Sequence, residues 1–317
     1  MGDFFVKDIA LVTTSSFGEY DDAPLRMLRD AGYEPILNPH GRTLTEKEIG
    51  DLTLERRPVG IVAGTEPITR AVMTGGLPQL RVVSRVGTGV SNVDKKAASE
   101  LGIAVLNTPD APTQAVVELT VGLALAVARR IAETDAIIRG GGWKKLMGSL
   151  IGGKTVGVIG AGKIGRAVGR AFAGGFDCRV IGYDPYLAED AWNGYGMERV
   201  AELDALLAQS DIITLHVSGS ALIIGEKQFD AAKRGAIILN AARGGLLDEE
   251  ALAVRLADGR VGGAGLDVFS IEPYKGPLTN SPQTVLTAHM GSYARETRVR
   301  MEMEAVGNLL TSLREGN

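Results

Sequence analysis

The chain has 317 residues, of which 45% are hydrophobic and 23% are charged, a composition typical of a soluble globular protein large enough for two domains. Its net charge is −4, with lysines and arginines spread along the chain, so we expect neither a nucleic acid nor a membrane as a partner. The single cysteine, Cys178, excludes an internal disulfide, and the short apolar run in MGDFFVKDIA is too brief for a signal peptide, which favours a cytoplasmic location.

Short apolar runs alternate with amphipathic stretches along almost the whole chain. Strand, helix and strand repeated in this way predict parallel sheets with helices on both faces, so the predicted fold class is α/β. Eleven such runs are too many for one small sheet, which predicts two doubly wound parallel-sheet domains with a seam near residues 99–110. The predicted strands are 9–13, 35–38, 60–64, 81–86, 104–107, 156–160, 179–184, 212–217, 236–240, 264–268 and 284–289.

A long helix is predicted over residues 112–140, between the two series of strands. Thr113 is its predicted cap, and apolar side chains occupy nearly every side of it, so we expect it to be buried all round. Gln114 and Glu118 in its first turns, and Arg129 after them, argue against a membrane span. A helix buried between domains or between subunits is the better interpretation, and it leads to the hypothesis of a homodimer.

Gly160, Gly162 and Gly165 have the G-x-G-x-x-G spacing of a dinucleotide-binding turn, which also contains Lys163 and Ile164. The spacing alone is a weak signal in a chain with 42 glycines, but here a predicted strand runs into the turn and a predicted helix leaves it. The first glycine permits the tight bend, the second lets the backbone approach a pyrophosphate, and the third lets helix and strand pack closely. A glycine-rich turn without a ligand is the alternative, and this context disfavours it.

An acidic residue, Asp184, ends the next predicted strand 19 residues after Gly165. A carboxylate at about this spacing reaches the ribose hydroxyl groups of a dinucleotide and repels a 2′-phosphate. No arginine follows it, only Pro185 and Tyr186. The predicted cofactor is therefore NAD rather than NADP.

Three ionisable side chains follow predicted strands of the second series: Arg243 after AIILN, Glu272 in LDVFSIEP and His289 at the end of TVLTAH. Ligands of doubly wound sheets bind beyond the carboxyl ends of the strands, so these are the candidates for chemistry. The other histidines are less suited, since His40 lies in a Pro-Gly loop and His216 lies inside a predicted strand. Taken singly, each candidate also has an ordinary structural explanation.

Together the three side chains supply what hydride transfer to a 2-keto acid requires. Hydride arriving at a ketone carbon leaves alkoxide character, so His289 as imidazolium is the predicted general acid, and the base in the reverse direction. Glu272 is expected to raise the pKa of His289 and to hold its ring. Arg243 is predicted to bind the substrate carboxylate and carbonyl through paired hydrogen bonds. No metal site is predicted.

Seven longer motifs follow one another along the chain: SRVGTGVSNVD (84–94), LNTPDAPTQAVVELTVGLAL (106–125), GGKTVGVIGAGKIG (152–165), GYDPY (182–186), LNAARGGLLDEEAL (239–252), GLDVFSIEP (265–273) and TAHMGSYARE (287–296). On these motifs the sequence resembles the D-isomer-specific 2-hydroxyacid dehydrogenase family, and within it the D-3-phosphoglycerate dehydrogenase branch. The resemblance implies an NAD-dependent oxidoreductase acting on a small anionic D-2-hydroxy or 2-keto acid. It also implies that Arg243, Glu272 and His289 are the catalytic residues.

The same resemblance implies the residues that bind substrate and cofactor. The implied substrate contacts are Gly64 and the backbone N–H groups of Gly87, Thr88 and Gly89. Asp267 is implied as a contact of the nicotinamide carboxamide. Further implied cofactor contacts are Thr108, His216, Val217 and Ala241.

The resemblance further implies two domains that close on each other by a hinge, which would exclude water from the reaction. Residues 1–100 and 291–317 would form a discontinuous, flavodoxin-like substrate domain. Residues 101–290 would form the Rossmann NAD-binding domain. Because the chain stops at Asn317, we expect a short form without a regulatory domain and without allosteric control by serine.

The sequence departs from the phosphoglycerate pattern after the third predicted strand. GIVAG runs into Gly64-Thr65-Glu66, without the arginine that would hold a substrate phosphate. Two other functions stay open. The first is an NAD(H)-sensing binding protein like the C-terminal-binding-protein corepressors, and the second is a dehydrogenase that handles phosphite or phosphonates.

Overall fold

The structure is a computed structural model that describes residues 7–192, 196–219 and 221–315. Two compact units make up the chain, one containing the residues up to Pro112 together with those from Ser292, and the other containing Thr113–Gly291. Each unit contains one parallel sheet flanked by helices, which confirms the predicted fold class. Residues 1–6 of the stretch considered for a signal peptide lie outside the described residues.

Five parallel strands form the sheet of the first unit: β1 (Ile9–Val12), β2 (Glu34–Leu37), β3 (Gly60–Ala63), β4 (Val82–Arg85) and β5 (Ala104–Asn107). Their order in the sheet is β2-β1-β3-β4-β5. This is the flavodoxin-like order, which puts the topological switch point between β1 and β3. All four residues of β3 are buried, as expected for a central strand covered on both faces.

Helices cover both faces of this sheet: α1 (Ala23–Asp30), α2 (Glu46–Arg56), α3 (Arg70–Gly75), α4 (Lys95–Glu100) and the C-terminal helix Arg295–Glu315. Thr45 and Glu48 form a reciprocal capping box that begins α2. The C-terminal helix packs on the sheet so closely that a Cβ on Gly60 would lie 2.9 Å from Leu309. Ser84 in β4 also donates a hydrogen bond of 2.7 Å to the carbonyl oxygen of Ala305 in that helix. The C-terminal helix is therefore an integral part of the first unit.

Seven parallel strands form the sheet of the second unit: β6 (Thr155–Ile159), β7 (Arg179–Tyr183), β8 (Glu198–Arg199), β9 (Ile212–Leu215), β10 (Ala236–Asn240), β11 (Val261–Leu266) and β12 (Thr284–Leu286). Their order is β12-β11-β10-β9-β6-β7-β8. This is the Rossmann order with one strand added, and its switch point lies between β6 and β9. Strand β8 was not predicted, because its two residues are both exposed and carry no apolar pattern.

The helices of the second unit are α5 (Thr113–Ala128), α6 (Ile131–Arg139), α7 (Lys163–Phe176), α8 (Leu203–Gln209), α9 (Glu226–Ala231) and α10 (Glu249–Ala257). Two apolar clusters pack on opposite faces of the sheet. Ile213 and Ile238 belong to one cluster, while their neighbours Ile212 and Ile237 belong to the other. Because successive side chains of a strand point to opposite faces, this alternation explains why the strands are apolar throughout.

The single helix predicted over 112–140 is wrong in two respects. It is broken after α5, where Arg130 adopts a left-handed conformation with φ 53° and is held by two hydrogen bonds of 2.8 Å to Glu133. It is also not buried all round, because Gln114, Glu118 and Gly122 form an exposed stripe. In the described part of the chain no helix is long and apolar enough to cross a membrane.

Candidate active site

The three glycines between β6 and α7 lie in three different environments. Gly160 has φ +92°, and a Cβ there would lie 2.6 Å from the carbonyl oxygen of His216, so only glycine fits. A Cβ on Gly165 would lie 2.0 Å from the Gly160 oxygen, which shows how closely the helix packs on the strand. At Gly162 no other described residue comes within 4 Å of the Cβ position. The turn therefore combines a tight bend, an open approach and close helix packing, as a pyrophosphate-binding turn requires.

Helix α7 begins at Lys163, with Gly162 as its N-cap. No side chain caps this end, and helix N-termini of this kind bind anions through their backbone N–H groups. Gly162 and Lys163 are exposed, and Ile164 is half-buried. The predicted cofactor residues of this turn thus lie together at an accessible helix N-terminus.

Asp184 lies beside the glycine turn, because β6 and β7 are neighbours in the sheet. Its Oδ2 accepts a hydrogen bond of 3.0 Å from the backbone N–H of Ala161, inside the turn. Its Oδ1 accepts another of 3.0 Å from the backbone N–H of Tyr186. The carboxylate predicted to bind a ribose is therefore held at one side of the predicted pyrophosphate site.

His216 follows β9 directly and is not inside the strand, which corrects the prediction from the sequence. Its Nε2 lies 2.8 Å from the hydroxyl oxygen of Thr214, while its Nδ1 is buried without a hydrogen-bond partner. Burial lowers the pKa of His216 to about 3, so its ring is neutral at physiological pH. Val217 is half-buried and lies within 2.7 Å of the Cβ position of Gly160. A neutral ring with an unsatisfied nitrogen next to the glycine turn fits a lining residue rather than a proton donor.

His289 and Glu272 form a side-chain pair at the carboxyl edge of the second sheet. The Nδ1 of His289 lies 2.9 Å from Oε2 of Glu272, and the side chains are 54% and 38% exposed, respectively. The other carboxylate oxygen, Oε1, accepts a hydrogen bond of 3.1 Å from the backbone N–H of Phe269. Because Nδ1 faces the carboxylate, Nε2 is the ring nitrogen left for another partner.

Asp267 holds the loop that carries His289. Its carboxylate accepts hydrogen bonds from the Thr287 hydroxyl group at 2.6 Å and from the backbone N–H groups of Met290 and Gly291 at 2.8 Å each. Its carbonyl oxygen accepts the backbone N–H of His289 at 2.8 Å, where His289 has φ 52°. Asp267 was predicted as a nicotinamide contact, but in this structure the residue is only 1% exposed and its carboxylate is used within the protein. The sequence did contain a signal for this role, because Asp267 ends an apolar strand. An acidic residue that is buried at such a position needs several hydrogen-bond donors from the protein.

Arg243 lies in an exposed loop that a buried asparagine shapes. The Nδ2 of Asn240 donates to the carbonyl oxygen of Arg243 at 2.9 Å, and its Oδ1 accepts from the backbone N–H of Ala242 at 3.1 Å. One guanidinium nitrogen of Arg243 donates to the Ala242 carbonyl oxygen at 2.7 Å. Within the described ranges Arg243 forms no ion pair, and the predicted cofactor contact Ala241 lies half-buried in the same loop. The role of Asn240 in shaping this loop was not predicted from the sequence. The available signal was its position, since it is the polar residue that ends the apolar run AIILN.

The loops of these three side chains meet because β10, β11 and β12 are neighbours in the sheet. A Cβ on Gly244 would lie 1.9 Å from the carbonyl oxygen of Phe269, so the Arg243 loop packs directly on the Glu272 loop. An open cavity of about 390 Å³ is lined by Gly244, Gly245, Phe269, Ser270, Glu272 and His289. The geometry thus gathers the predicted catalytic residues at one edge of the second unit.

The predicted substrate loop after β4 lies at the carboxyl edge of the first unit. Gly87 has φ +144°, and its backbone N–H donates to the hydroxyl oxygen of Thr108 at 2.8 Å. The backbone N–H groups of Thr88 and Gly89 have no acceptor among the described residues, and Thr88 is exposed. The guanidinium group of Arg85, a cation that was not predicted at this loop, lies where a Cβ on Gly87 would be. Thr88 and Gly89 are therefore the open donors of this loop, while Gly87 and the fully buried Thr108 satisfy each other.

Gly64, the remaining predicted substrate contact, follows β3 in the same unit. Its backbone N–H donates to Oε1 of Glu66 at 2.9 Å, and its carbonyl oxygen accepts from Asn92 at 3.2 Å. The backbone of Gly64 is therefore occupied by its own neighbours. Across the residues that the structure describes, no cluster of His, Cys, Asp and Glu could hold a metal ion.

Comparison with known proteins gives consistent matches. A sequence model described as "D-isomer specific 2-hydroxyacid dehydrogenase, NAD binding domain" matches residues 121–291. The chain is 40% identical over 261 residues to D-3-phosphoglycerate dehydrogenase from Methanocaldococcus jannaschii, covering 80% of this chain and 49% of that protein. It is 38% identical over 257 residues to glyoxylate reductase from Korarchaeum cryptofilum, covering 78% of this chain and 76% of that protein.

The fold is also similar to that of solved structures. A crystal structure of a protein from Thermus thermophilus has a TM-score of 0.84 and 36% identity, and the match covers 97% of each chain. The matched region spans about half the length of several D-3-phosphoglycerate dehydrogenases, at 44% to 49%. On the family match and the glyoxylate reductase match, the chain belongs to the D-isomer specific 2-hydroxyacid dehydrogenase family and contains its NAD binding domain.

Proposed function

We propose that the protein is an NAD-dependent dehydrogenase that interconverts a small anionic D-2-hydroxy acid and its 2-keto acid. The observation that carries the proposal is the His289–Glu272 pair, 2.9 Å apart, on loops adjoining an arginine that forms no ion pair in the described chain. A proton donor and a free cation at one edge of a Rossmann sheet are what reduction of a keto acid requires.

His289 supplies the proton in this proposal. Glu272 faces Nδ1, so the imidazolium would donate its Nε2 proton to the carbonyl oxygen of the substrate. In the oxidative direction the neutral Nε2 would accept the proton of the hydroxyl group. Glu272 holds the ring through its contact with Nδ1, and Asp267 holds the loop behind it.

Binding of the substrate carboxylate is assigned to Arg243. A guanidinium group binds a carboxylate through two parallel hydrogen bonds, which also fix its orientation. Within the first unit, the N–H groups of Thr88 and Gly89 supply two donors for an anion.

The residues present fit NAD, which supplies or accepts the hydride when it is bound. The open space at Gly162 and the uncapped N-terminus of α7 fit a pyrophosphate. The unpartnered Nδ1 of His216 is a buried polar atom that a ligand group can satisfy. Asp184 would accept hydrogen bonds from the ribose hydroxyl groups, and Val217 and Ala241 would line the pocket.

Replacing Asp184 by alanine is expected to reduce the preference for NADH over NADPH by about 10- to 100-fold in kcat/KM, because hydrogen bonds to a charged acceptor contribute ~1.5–3 kcal/mol. The measurement compares kcat/KM for the two cofactors with one keto acid. Asp190→Ala, which removes an exposed carboxylate of the same unit, is the control. Unchanged discrimination in Asp184→Ala would remove this role from the residue.

The enzymatic proposal is tested by following NADH absorbance with a panel of 2-keto acids, each repeated with NADPH. The panel contains glyoxylate, pyruvate, hydroxypyruvate, 3-phosphohydroxypyruvate, 2-ketoglutarate and phosphonopyruvate. Turnover of at least one member supports the dehydrogenase. Tight NADH binding with no turnover across the panel would favour an NAD(H)-sensing protein instead.

We also propose that the protein is a homodimer. Five large apolar side chains of the second unit are exposed in the single chain, with Trp143 and Met147 at 85% and 89%. They are Ile131, Ile138, Trp143, Met147 and Leu150. Residues 142–150 have no regular secondary structure, so the single chain gives these side chains little to pack against. Ile131, Ile138 and Trp143 line one open groove, and exposed apolar surface of this kind marks protein interfaces.

The double substitution Trp143→Asp and Met147→Asp is expected to weaken the dimer by about 10²-fold or more, because large buried side chains dominate interface energies. Light scattering would then give the monomer mass of 33.4 kDa, against twice that mass for the unchanged protein. Leu54→Asp, at an apolar residue 61% exposed in the first unit, is the matched control. A monomer mass for the unchanged protein would refute the dimer.

A further inference from the structure

The two open amides of the first unit belong to peptide bonds whose carbonyl oxygens are held by the end of β5. The backbone N–H of Thr108 donates to the carbonyl oxygen of Gly87 at 3.0 Å. The side-chain Nδ2 of Asn107 donates to the carbonyl oxygen of Thr88 at 2.6 Å. Two successive residues, Asn107 and Thr108, thus anchor two successive carbonyl groups of the loop after β4.

Anchoring these carbonyl groups also sets the direction of the amides. In a trans peptide the C=O group and the following N–H group point in opposite directions, and both peptide bonds here are trans. The N–H of Thr88 therefore points away from Thr108, and the N–H of Gly89 points away from Asn107. Successive N–H groups turned to one side form a concave arrangement that binds anions.

The two anchors differ in kind. The Thr108 anchor is a backbone group that continues the pairing of β4 with β5 by one residue, and the hydrogen bond of 2.8 Å from the Gly87 N–H to the Thr108 hydroxyl oxygen reinforces it. The Asn107 anchor is a side-chain amide, whose NH₂ group is the part that can donate to a carbonyl oxygen. The direction of the Gly89 N–H is therefore under the control of a side chain, which a substitution can remove.

The C-terminal helix holds Asn107 in turn. Nδ2 of Asn308 donates to the carbonyl oxygen of Asn107 at 3.0 Å, although the two residues are 201 positions apart. Both asparagines are half-buried. The helix is itself fixed to the sheet, since Ser84 of β4 donates to the carbonyl oxygen of Ala305 at 2.7 Å. A chain of hydrogen bonds thus runs from the helix through Asn107 to the Thr88–Gly89 peptide.

We propose that Asn107 is a positioning residue for substrate binding and that Asn308 supports it from the C-terminal helix. Asn107 acts through the carbonyl group of Thr88, and it holds the Gly89 N–H in the direction in which this group can donate to the anion of a 2-keto acid. Asn308 acts through the carbonyl group of Asn107. This inference rests on the proposed function, since the anion is the substrate of that same reaction.

The contribution of Asn107 is preorganisation of the loop. A peptide unit without its anchor can rotate about the neighbouring φ and ψ angles, and glycine makes such rotation easy. Gly87 and Gly89 flank Thr88 on both sides. Binding of an anion would then have to order the loop, which costs affinity. The loss should therefore appear in the binding of the anion.

The test replaces Asn107 by alanine and measures inhibition by oxamate, an unreactive anionic analogue of a 2-keto acid, together with the kinetics of the preferred keto acid of the panel. We expect the Ki for oxamate and the KM for the keto acid to rise together by about 3- to 10-fold, as for the loss of one uncharged hydrogen bond. The affinity for NADH should not change, because the glycine turn belongs to the second unit.

Asn308→Ala should raise the same two constants by about 2- to 5-fold. In a protein that already carries Asn107→Ala it should add little, because the path from the helix to Thr88 runs through the side chain of Asn107. Non-additivity of this kind distinguishes positioning from two independent losses of stability. Full additivity would overturn the role of Asn308.

Ser84→Ala is the matched control. It removes a hydrogen bond between β4 and the same C-terminal helix, but that bond involves neither Asn107 nor the loop after β4. Ser84→Ala should lower the temperature of thermal unfolding and leave the Ki for oxamate unchanged. A stability loss alone would therefore not reproduce the effect expected for Asn107→Ala.

Failure of this inference differs from failure of the proposed function. If the unchanged protein reduces keto acids but Asn107→Ala leaves the Ki for oxamate and the KM unchanged, or if Ser84→Ala raises both as much, the inference is overturned and the dehydrogenase stands. If no keto acid is reduced although NADH binds, both are overturned.

Discussion

Replacing His289 by alanine is expected to lower kcat by about 10²- to 10⁴-fold, the usual contribution of a positioned general acid. The reason is that Nε2 of His289 is the proposed proton donor, while Nδ1 is held by Glu272 at 2.9 Å. NADH affinity should remain nearly unchanged, because His289 lies on the loop after β12, whereas the glycine turn follows β6. Steady-state kinetics and a fluorescence titration with NADH measure the two quantities.

Two further variants show whether the loss comes from proton transfer. Glu272→Gln replaces the carboxylate at Nδ1 by an amide, which can also present its NH₂ group to the ring, so His289 should be held less firmly and reduction should become slower. His40→Ala, at a histidine of the first unit near Glu48, is the control and should retain full activity. If His289→Ala kept the turnover of the unchanged protein, the assignment of the proton donor would be wrong.

Replacing Arg243 by alanine is expected to lower kcat/KM for the keto acid by about 10²- to 10⁴-fold. Two hydrogen bonds between charged groups would be lost, each worth ~1.5–3 kcal/mol. Arg243 is exposed and forms no ion pair within the described chain, so the loss should fall on substrate use rather than on stability. Thermal unfolding and steady-state kinetics separate the two effects.

Arg243→Lys tests whether geometry or charge matters. Lysine keeps the charge but cannot present two parallel donors, so we expect it to restore only a small part of the lost kcat/KM. Arg234→Ala, at an exposed arginine of the same unit, is the control. Unchanged KM and kcat in Arg243→Ala would show that the arginine does not contact the substrate.

The sheets were largely predictable from apolar periodicity. Strands 104–107 and 236–240 have the predicted bounds, because each is an apolar run with clear flanking residues. Strand β11 begins at Val261, three residues before the predicted start at 264, because Gly262 and Gly263 weaken the pattern. The break between α5 and α6 was not predictable, since its left-handed residue is an arginine rather than a glycine.

The candidate site was predictable where its chemistry requires particular residue types at fixed spacing. The glycine turn and Asp184 belong to this kind, because spacing along one βαβ unit brings them together. Contacts between residues distant in the sequence were not predictable. Thr13 and Glu66 are 53 positions apart, and Asp267 and Gly291 are 24 apart. Whether a buried acid binds a ligand or a backbone loop depends on such contacts, which no local pattern contains.

Hydride transfer itself can be observed with NADH that is deuterated at both C4 positions of the nicotinamide. The protein is incubated with this cofactor and the preferred 2-keto acid of the panel, and the product is examined by mass spectrometry and chiral separation. We expect a D-2-hydroxy acid with one deuterium at C2, formed by the unchanged protein and almost absent with His289→Ala. Bound cofactor with no deuterium in any product, or deuterium in the L-isomer, would contradict a D-2-hydroxyacid dehydrogenase.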